Sequence, residues 1–229
     1  MIDGILIIDK EKDITSYDVI RKLKKILDKG QKIGHAGTLD PFATGVLVIL
    51  LGRATKLMGK FHSYEKEYEV EGEFGYSTDT QDSKGAIVTR DSSPRVIQKE
   101  DIEEVIEKFF LGEISQTPPQ YSAKKIEGKR AYDLARDGKR VSLKPANIQV
   151  SVFQVYEYDY PKFKCKIKCS TGTYVRTLIN DLGLKLNTYA TALELKRTAV
   201  GDFKISEAIP STQLTEQNRG DVLRRVINI

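Results

Sequence analysis

Apolar residues recur along this chain in two rhythms, one typical of strands and one of helices. Gly4-Ile5-Leu6-Ile7-Ile8-Asp9 is an unbroken apolar run closed by polar Asp9 and Lys10, which predicts a short buried strand. Thr15 or Ser16 then caps a helix reaching about Lys29. Its stripe is Val19, Ile20, Leu23, Ile26 and Leu27, with Asp18 in the first turn and Gly30 as the stop. Residues 34–46 hold three glycines and a proline around Asp40, a composition that predicts a shaped loop rather than a helix or a strand. Val46 to Leu51 is a strand-sized apolar run, Arg53 to Phe61 predicts a short helix, and Tyr68 to Phe74 alternates as a strand does.

An Asp/Thr/Gly loop follows from Gly75 to Gly85, and helical spacing returns from Lys99 to Phe110, with Gly112 ending it. Gln116 to Lys125 carries two prolines and reads as extended. Residues 121–145 read as an insertion with a short helix around Arg130 to Asp137. Ile148–Glu157 and Phe163–Ser170 predict strands, Thr173 to Leu186 an amphipathic helix, and Ala192–Val200 a further strand. The tail from Ser211 to Ile229 predicts a polar, helical end. Helices and strands do not alternate regularly, which argues against a doubly wound sheet and for a mixed, α+β arrangement.

Composition narrows the class. A 229-residue chain with 40% hydrophobic residues can bury a real core, and no apolar run approaches the roughly 18 residues of a membrane span. Met1-Ile2-Asp3-Gly4 lacks the basic start of a signal peptide. Cys165 and Cys169 lie four apart in an alternating segment. They share a strand face, stand too far apart to bridge, and read as reduced core thiols in a reducing cytoplasm. Residues 121–145 carry eight basic and three acidic side chains, a net charge equal to the +5 of the whole chain. Such a field suits a polyanionic partner, although a solvated helix face would look the same.

The string Gly34-His35-Ala36-Gly37-Thr38-Leu39-Asp40-Pro41-Phe42-Ala43-Thr44-Gly45 carries the chemistry. Taken alone, Asp-Pro is an ordinary turn former. The whole string resembles the catalytic motif of tRNA pseudouridine synthases of the TruB family, G-H-x-G-x-L-D-P-x-A-x-G, at every fixed position. Segments 4–16, 68–85, 116–138, 170–176 and 195–201 are also similar to that family. The resemblance implies a pseudouridine synthase fold, a central, mainly antiparallel sheet flanked by helices and loops around an active-site cleft. It implies one catalytic domain over 1–229 with a basic RNA-binding insertion at about 121–145, and without the C-terminal PUA domain usual in the bacterial family.

The resemblance also assigns roles. Asp40 would be the catalytic aspartate, with Arg176 of Gly172-Thr173-Tyr174-Val175-Arg176 holding it ionised, since an opposite charge lowers a carboxylate's pKa. Tyr68 would be a catalytic residue too, stacking on the target base and handling a proton, Tyr174 would line the pocket, and Leu195 would be its apolar wall. His35 would help open the RNA loop. Asp82, in the Thr78–Gly85 loop, and Lys10, after the first strand, match segments associated with substrate. Lys124, Lys129 and Arg130 would meet phosphates. The implied activity is conversion of uridine-55 in the T arm of tRNA to pseudouridine, without metal or cofactor, by a cytoplasmic monomer with no membrane and no obligatory protein partner. Two other readings are an RNA-binding module that lost catalysis and a metal-dependent hydrolase using Asp79, Asp82 and His35. The intact set of Asp40, Tyr68, Tyr174 and Arg176 speaks against the first, and chelator insensitivity would dispose of the second.

Overall fold

The computed structural model describes residues 1–122, 124–126, 129–130, 134 and 142–229, with the backbone alone at 125–126 and 129–130. In chain order the elements are β1 (Gly4–Lys10), α1 (Ser16–Ile26), β2 (Ile33–Ala36), β3 (Thr44–Leu51), a 3-10 helix (Gly52–Leu57) running into α2 (Met58–Phe61), β4 (Lys66–Phe74), β5 (Tyr76–Thr78), β6 (Ile87–Arg90), α3 (Lys99–Phe109), β7 (Gly112–Gln116), β8 (Lys125–Ile126), β9 (Lys129–Arg130), β10 (Ala146–Asp159), β11 (Lys162–Cys169), α4 (Val175–Lys185), β12 (Ala190–Val200), β13 (Phe203–Lys204), a 3-10 helix (Ile205–Glu207), β14 (Ile209–Pro210), a 3-10 helix (Ser211–Gln213) and α5 (Arg219–Arg224). The fold is mixed α/β and its strand pairs are mainly antiparallel. Two compact units divide the chain: Met1–Glu69 with Leu195–Ile229, and Val70–Glu194.

In the first unit β3 is the central strand. It runs antiparallel to β1, with Ile5 opposite Leu50 and Ile7 opposite Val48, and antiparallel to β2, with His35 opposite Ile49. Directly opposed side chains share a face, so Ile5, Ile7, Val46, Val48 and Leu50 gather in one cluster with Ala36, Ala54, Phe61 and Val200. Leu6, Ile8, Leu47, Ile49 and Leu51, on the other face, are also fully buried. Burial on both faces explains why β1 and β3 read as unbroken apolar runs rather than as alternations. β14 extends this sheet beyond β1 and β12 extends it beyond β3, both parallel.

In the second unit β10 pairs with β11 on one side and β7 on the other, both antiparallel. Phe163 of β11 stacks on Phe74 at 4.6 Å between ring centroids. Gly72 leaves room for that ring, since a Cβ there would come within 2.4 Å of it. Cys165 and Cys169 are free and buried on β11, and burial pushes the Cys165 thiol well above its ordinary value.

Three local expectations change. α1 stops at Ile26 instead of near Lys29, because Leu27 turns extended while remaining buried. The chain then bends so that buried Gln31 can accept from the Ile2 N–H at 2.8 Å and donate to its carbonyl at 2.7 Å. The glycine-rich segment is a loop only over 37–43; Gly34 to Ala36 belong to β2 and Thr44 onward to β3, where ladder bonds to β3 and β1 override loop composition. The tail is helical only in short pieces, a 3-10 helix at Ser211–Gln213 and α5, and Ile227 exchanges two backbone bonds of 2.9 Å with Ile5. Arg130 lies in β9; residues 131–133 and 135–137 of the helix expected there fall outside the described residues.

α1 begins as its sequence dictates. The Thr15 hydroxyl accepts from the Asp18 N–H at 3.1 Å, and the Asp18 carboxylate accepts from the Thr15 N–H at 2.8 Å. Replacing Thr15 with Ala should lower the unfolding free energy by about 1 kcal/mol in urea titrations, the usual cost of losing an N-cap.

Candidate active site

One row of the sheet in the first unit decides the shape of the Asp40 loop. Gly45 of β3 lies between Lys10 of β1 and Arg197 of β12 in register. Neighbours in register share a face, so two long cations flank a position with no side chain. Gly45 has φ of 102°, and a Cβ there would come within 2.2 Å of the Arg197 carbonyl oxygen. Glycine is therefore required for the backbone of β12 to come this close.

Both cations are buried, Lys10 to 0% and Arg197 to 2% exposure, and both spend their donors on backbone. The Arg197 guanidinium donates to the carbonyls of Val46 at 2.7 Å, Gly37 at 3.0 Å and Thr38 at 3.4 Å. The Lys10 ammonium donates to Ile14 at 2.8 Å, Glu11 at 2.9 Å and Pro41 at 3.2 Å. Ser16, at the start of α1, donates its hydroxyl to the Leu39 carbonyl at 3.1 Å and accepts from the Leu39 N–H at 2.9 Å. Ala43 N–H closes a turn on the Asp40 carbonyl at 3.1 Å, and Asp13 N–H bonds the Pro41 carbonyl at 2.8 Å. Every carbonyl from Gly37 to Pro41 thus has a donor, while Leu39, Phe42 and Ala43 anchor the loop in the core.

Asp40 is half-buried at the apex of this loop. The Lys10 pKa is lowered from 10.5 to about 8: burial dominates and Arg197 adds to it, while the carboxylates of Asp40, Asp13 and Glu11 oppose them. Lys10 and Asp40 therefore feel each other's charge. The same unit holds the other expected residues of its segments: Tyr68 buried on β4, Leu195 buried on β12 and His35 half-buried on β2. Lys10, expected to meet substrate, is enclosed and has its three N–H groups on backbone carbonyls.

The second unit builds its own polar cluster. Arg176, in the first turn of α4, is 4% exposed and forms an ion pair with Asp82 at 3.2 Å. It also donates to the Thr80 carbonyl at 3.1 Å and to the Tyr121 carbonyl. The other oxygen of Asp82 accepts from the Thr80 hydroxyl at 2.8 Å and from the Lys84 N–H at 2.9 Å. A buried pair needs such extra bonds to offset its desolvation. Asp82 thus holds the 78–85 loop to α4. Tyr174, half-buried, starts α4, and Gln116 clips it in place by accepting from its N–H at 2.8 Å and donating to its carbonyl at 3.0 Å. Lys124 donates to the Lys144 carbonyl at 3.2 Å. The side chains of Lys129 and Arg130 lie outside the described residues. Among the described residues no group of three or more His, Cys, Asp or Glu is placed to hold a metal ion.

Reading the sequence missed Arg197, Ser16 and Gln116. Ser16 was visible as a cap, and Gln116 sat in a segment already singled out. Arg197 also sat in such a segment, 195–201, but nothing local marked its role, because its partners are more than 150 positions away.

The TruB family pseudouridylate synthase N-terminal model matches residues 24–175, and the tRNA pseudouridylate synthase B C-terminal domain model matches residues 176–228. The tRNA pseudouridine synthase B of Francisella tularensis subsp. novicida is 39% identical over 228 residues, covering 100% of this chain and 75% of that protein. The protein of that name from Fusobacterium nucleatum is 43% identical over 203 residues, covering 89% of this chain and 69% of its own. Among solved structures, a chain in a Cbf5–Nop10–Gar1 complex aligns with a TM-score of 0.72 at 27% identity, over 97% of this chain and 58% of that one. This chain therefore spans less than two thirds of that solved protein. An H/ACA RNP bound to a substrate RNA containing 2'-deoxyuridine shares the fold, with a TM-score of 0.70 at 24% identity.

Arg197→Leu should destabilise the protein by about 3 kcal/mol or more, since carbonyls at Gly37, Thr38 and Val46 lose their shared donor. Urea unfolding measures this; a drop below about 1 kcal/mol would mean water replaces the guanidinium at little cost.

Proposed function

The chain belongs to the TruB family of pseudouridylate synthases, and on that premise we propose that it converts uridine-55 in the T arm of tRNA to pseudouridine, with Asp40 as the catalytic group. The observation that carries this is the Asp40 loop: its sequence matches the family's catalytic string, and its backbone is fixed by two buried cations. A fixed backbone presents the carboxylate in one geometry, which is what lets a single group act on a bound base.

The reaction is an isomerisation. The glycosidic C–N bond breaks, a C–C bond forms between C1′ and C5 of the base, the C5 proton leaves to solvent, and the freed N1 takes up a proton from solvent, so the atoms balance. One carboxylate can serve as nucleophile at C1′ or at C6, or can assist loss of a ribose proton. The balance needs no oxidant and no phosphoryl donor, consistent with a reaction run without cofactor or metal. We assign base stacking to Tyr68, the apolar wall to Leu195, pocket lining to Tyr174, and the charge partner of the carboxylate to Arg176. His35 opens the RNA loop, and Asp82 acts in holding substrate through the 78–85 loop. Extruding the base costs a few kcal/mol, offset by stacking on aromatics. Lys124, Lys129 and Arg130 contact phosphates, which position RNA without reading its sequence. The enzyme acts as a cytoplasmic monomer on this reading, and its free buried cysteines suit a reducing compartment.

Asp40→Asn keeps size and most hydrogen bonding but removes the charge. It should fold, bind unmodified tRNA and release no tritium from tRNA labelled at uridine C5, while the wild-type protein releases it and leaves pseudouridine at position 55. Turnover by Asp40→Asn near the wild-type rate would remove Asp40 from the role. Wild-type conversion at a different uridine would overturn the proposed site.

A further inference from the structure

The strongest unassigned feature is the outer face of α1, the helix whose first residue, Ser16, holds Leu39 beside Asp40. From Lys12 to Lys32 the chain has seven basic and three acidic side chains, a concentration close to that of the 121–145 segment. Tyr17, Arg21, Lys24, Lys25 and Asp28 recur at helical spacing and are all exposed.

Three observations separate this face from an ordinary solvated one. Its acids are already engaged: Asp18 pairs with Arg21 at 2.6 Å and caps the helix, while Asp28 pairs with Arg219 at 2.8 Å. Among the described residues, Lys24, Lys25, Lys29 and Lys32 have no carboxylate within ion-pair distance. Tyr17 is 49% exposed, with the Arg21 guanidinium 5.0 Å and the Lys24 ammonium 5.7 Å from its ring centroid. An exposed aromatic flanked by cations supplies both halves of single-strand recognition, a π-face for a base and charge for its phosphates.

We propose that this face of α1 is a docking surface for the RNA substrate, taking phosphates on Arg21, Lys24 and Lys25 and a stacked base on Tyr17. The surface runs about 12 Å, from Tyr17 to Lys25 at 1.5 Å per residue, and begins one residue from the contact that shapes the Asp40 loop. RNA lying on it is therefore delivered to the loop. The inference rests on the RNA-modifying reading above.

The test compares two triple variants in tRNA binding across a potassium chloride series. Arg21→Gln with Lys24→Gln and Lys25→Gln should lower the slope of log K against log salt by about two, at roughly 0.7 to 0.9 for each phosphate that is no longer neutralised. Lys162→Gln with Lys164→Gln and Lys166→Gln, on β11, removes the same charge from elsewhere and should leave the slope within error. Tyr17→Ala should weaken binding about tenfold with the slope unchanged. Wild-type slope and affinity in the α1 variant would overturn the proposal, as would an equal weakening in the β11 control, which would mean that only net charge matters. Binding needs no turnover, so a wild-type protein that binds tRNA but forms no pseudouridine would count against the catalytic reading and leave this test readable.

Discussion

Two buried cations and one glycine hold the loop on which everything else depends. Lys10 and Arg197 lie either side of Gly45 in one row of the sheet and donate to carbonyls along the 37–46 segment. Burying a charge is costly unless it is hydrogen-bonded throughout. Here the cost is offset by hydrogen bonds to backbone carbonyls, and by the Asp40 charge, which raises the Lys10 pKa against the effect of burial. The arrangement works in both directions: the loop solvates the cations, and the cations fix the loop. A larger residue at position 45 would separate β12 from β3 and move Arg197 away from its acceptors.

That dependence explains what could be read from the chain and what could not. β1 and β3 were legible because their apolar runs are long and bounded by polar residues. α1 was legible through its stripe and its Thr15–Asp18 cap. The loop around Asp40 was legible because glycines and proline flag a shaped loop. Arg197 was hidden inside Leu195-Lys196-Arg197-Thr198, a stretch that reads as strand and that the family resemblance marks only at Leu195. Its role follows from register, and register is a property of strands far apart in sequence. The end of α1 was misjudged for a related reason, since Gln31 reaches back to Ile2 and no helical pattern records that.

The second unit shows the same logic in a different form. The Asp/Thr/Gly loop was read from its residue types, and its oxygens do hold something, namely the Arg176 guanidinium and the loop's own donors. Gln116 does for Tyr174 what Ser16 does for Leu39, satisfying an N–H and a carbonyl of one residue with one side chain. In both units a polar side chain from a distant segment fixes the backbone beside a residue assigned to chemistry. Such second partners are set by tertiary contact, so they escape inspection of local sequence.

The central claim is that the clamp, and not merely the presence of Asp40, makes the loop competent. The direct measurement is the single-turnover rate of pseudouridine formation by Arg197→Lys on saturating unmodified tRNA, with tRNA affinity measured in parallel on folded protein. Lysine keeps the charge but lacks the planar fork that reaches three carbonyls at once. The account predicts a rate lower by about 100-fold, as expected for a small misplacement of a catalytic group, with affinity unchanged. A folded Arg197→Lys protein turning over at the wild-type rate would contradict it.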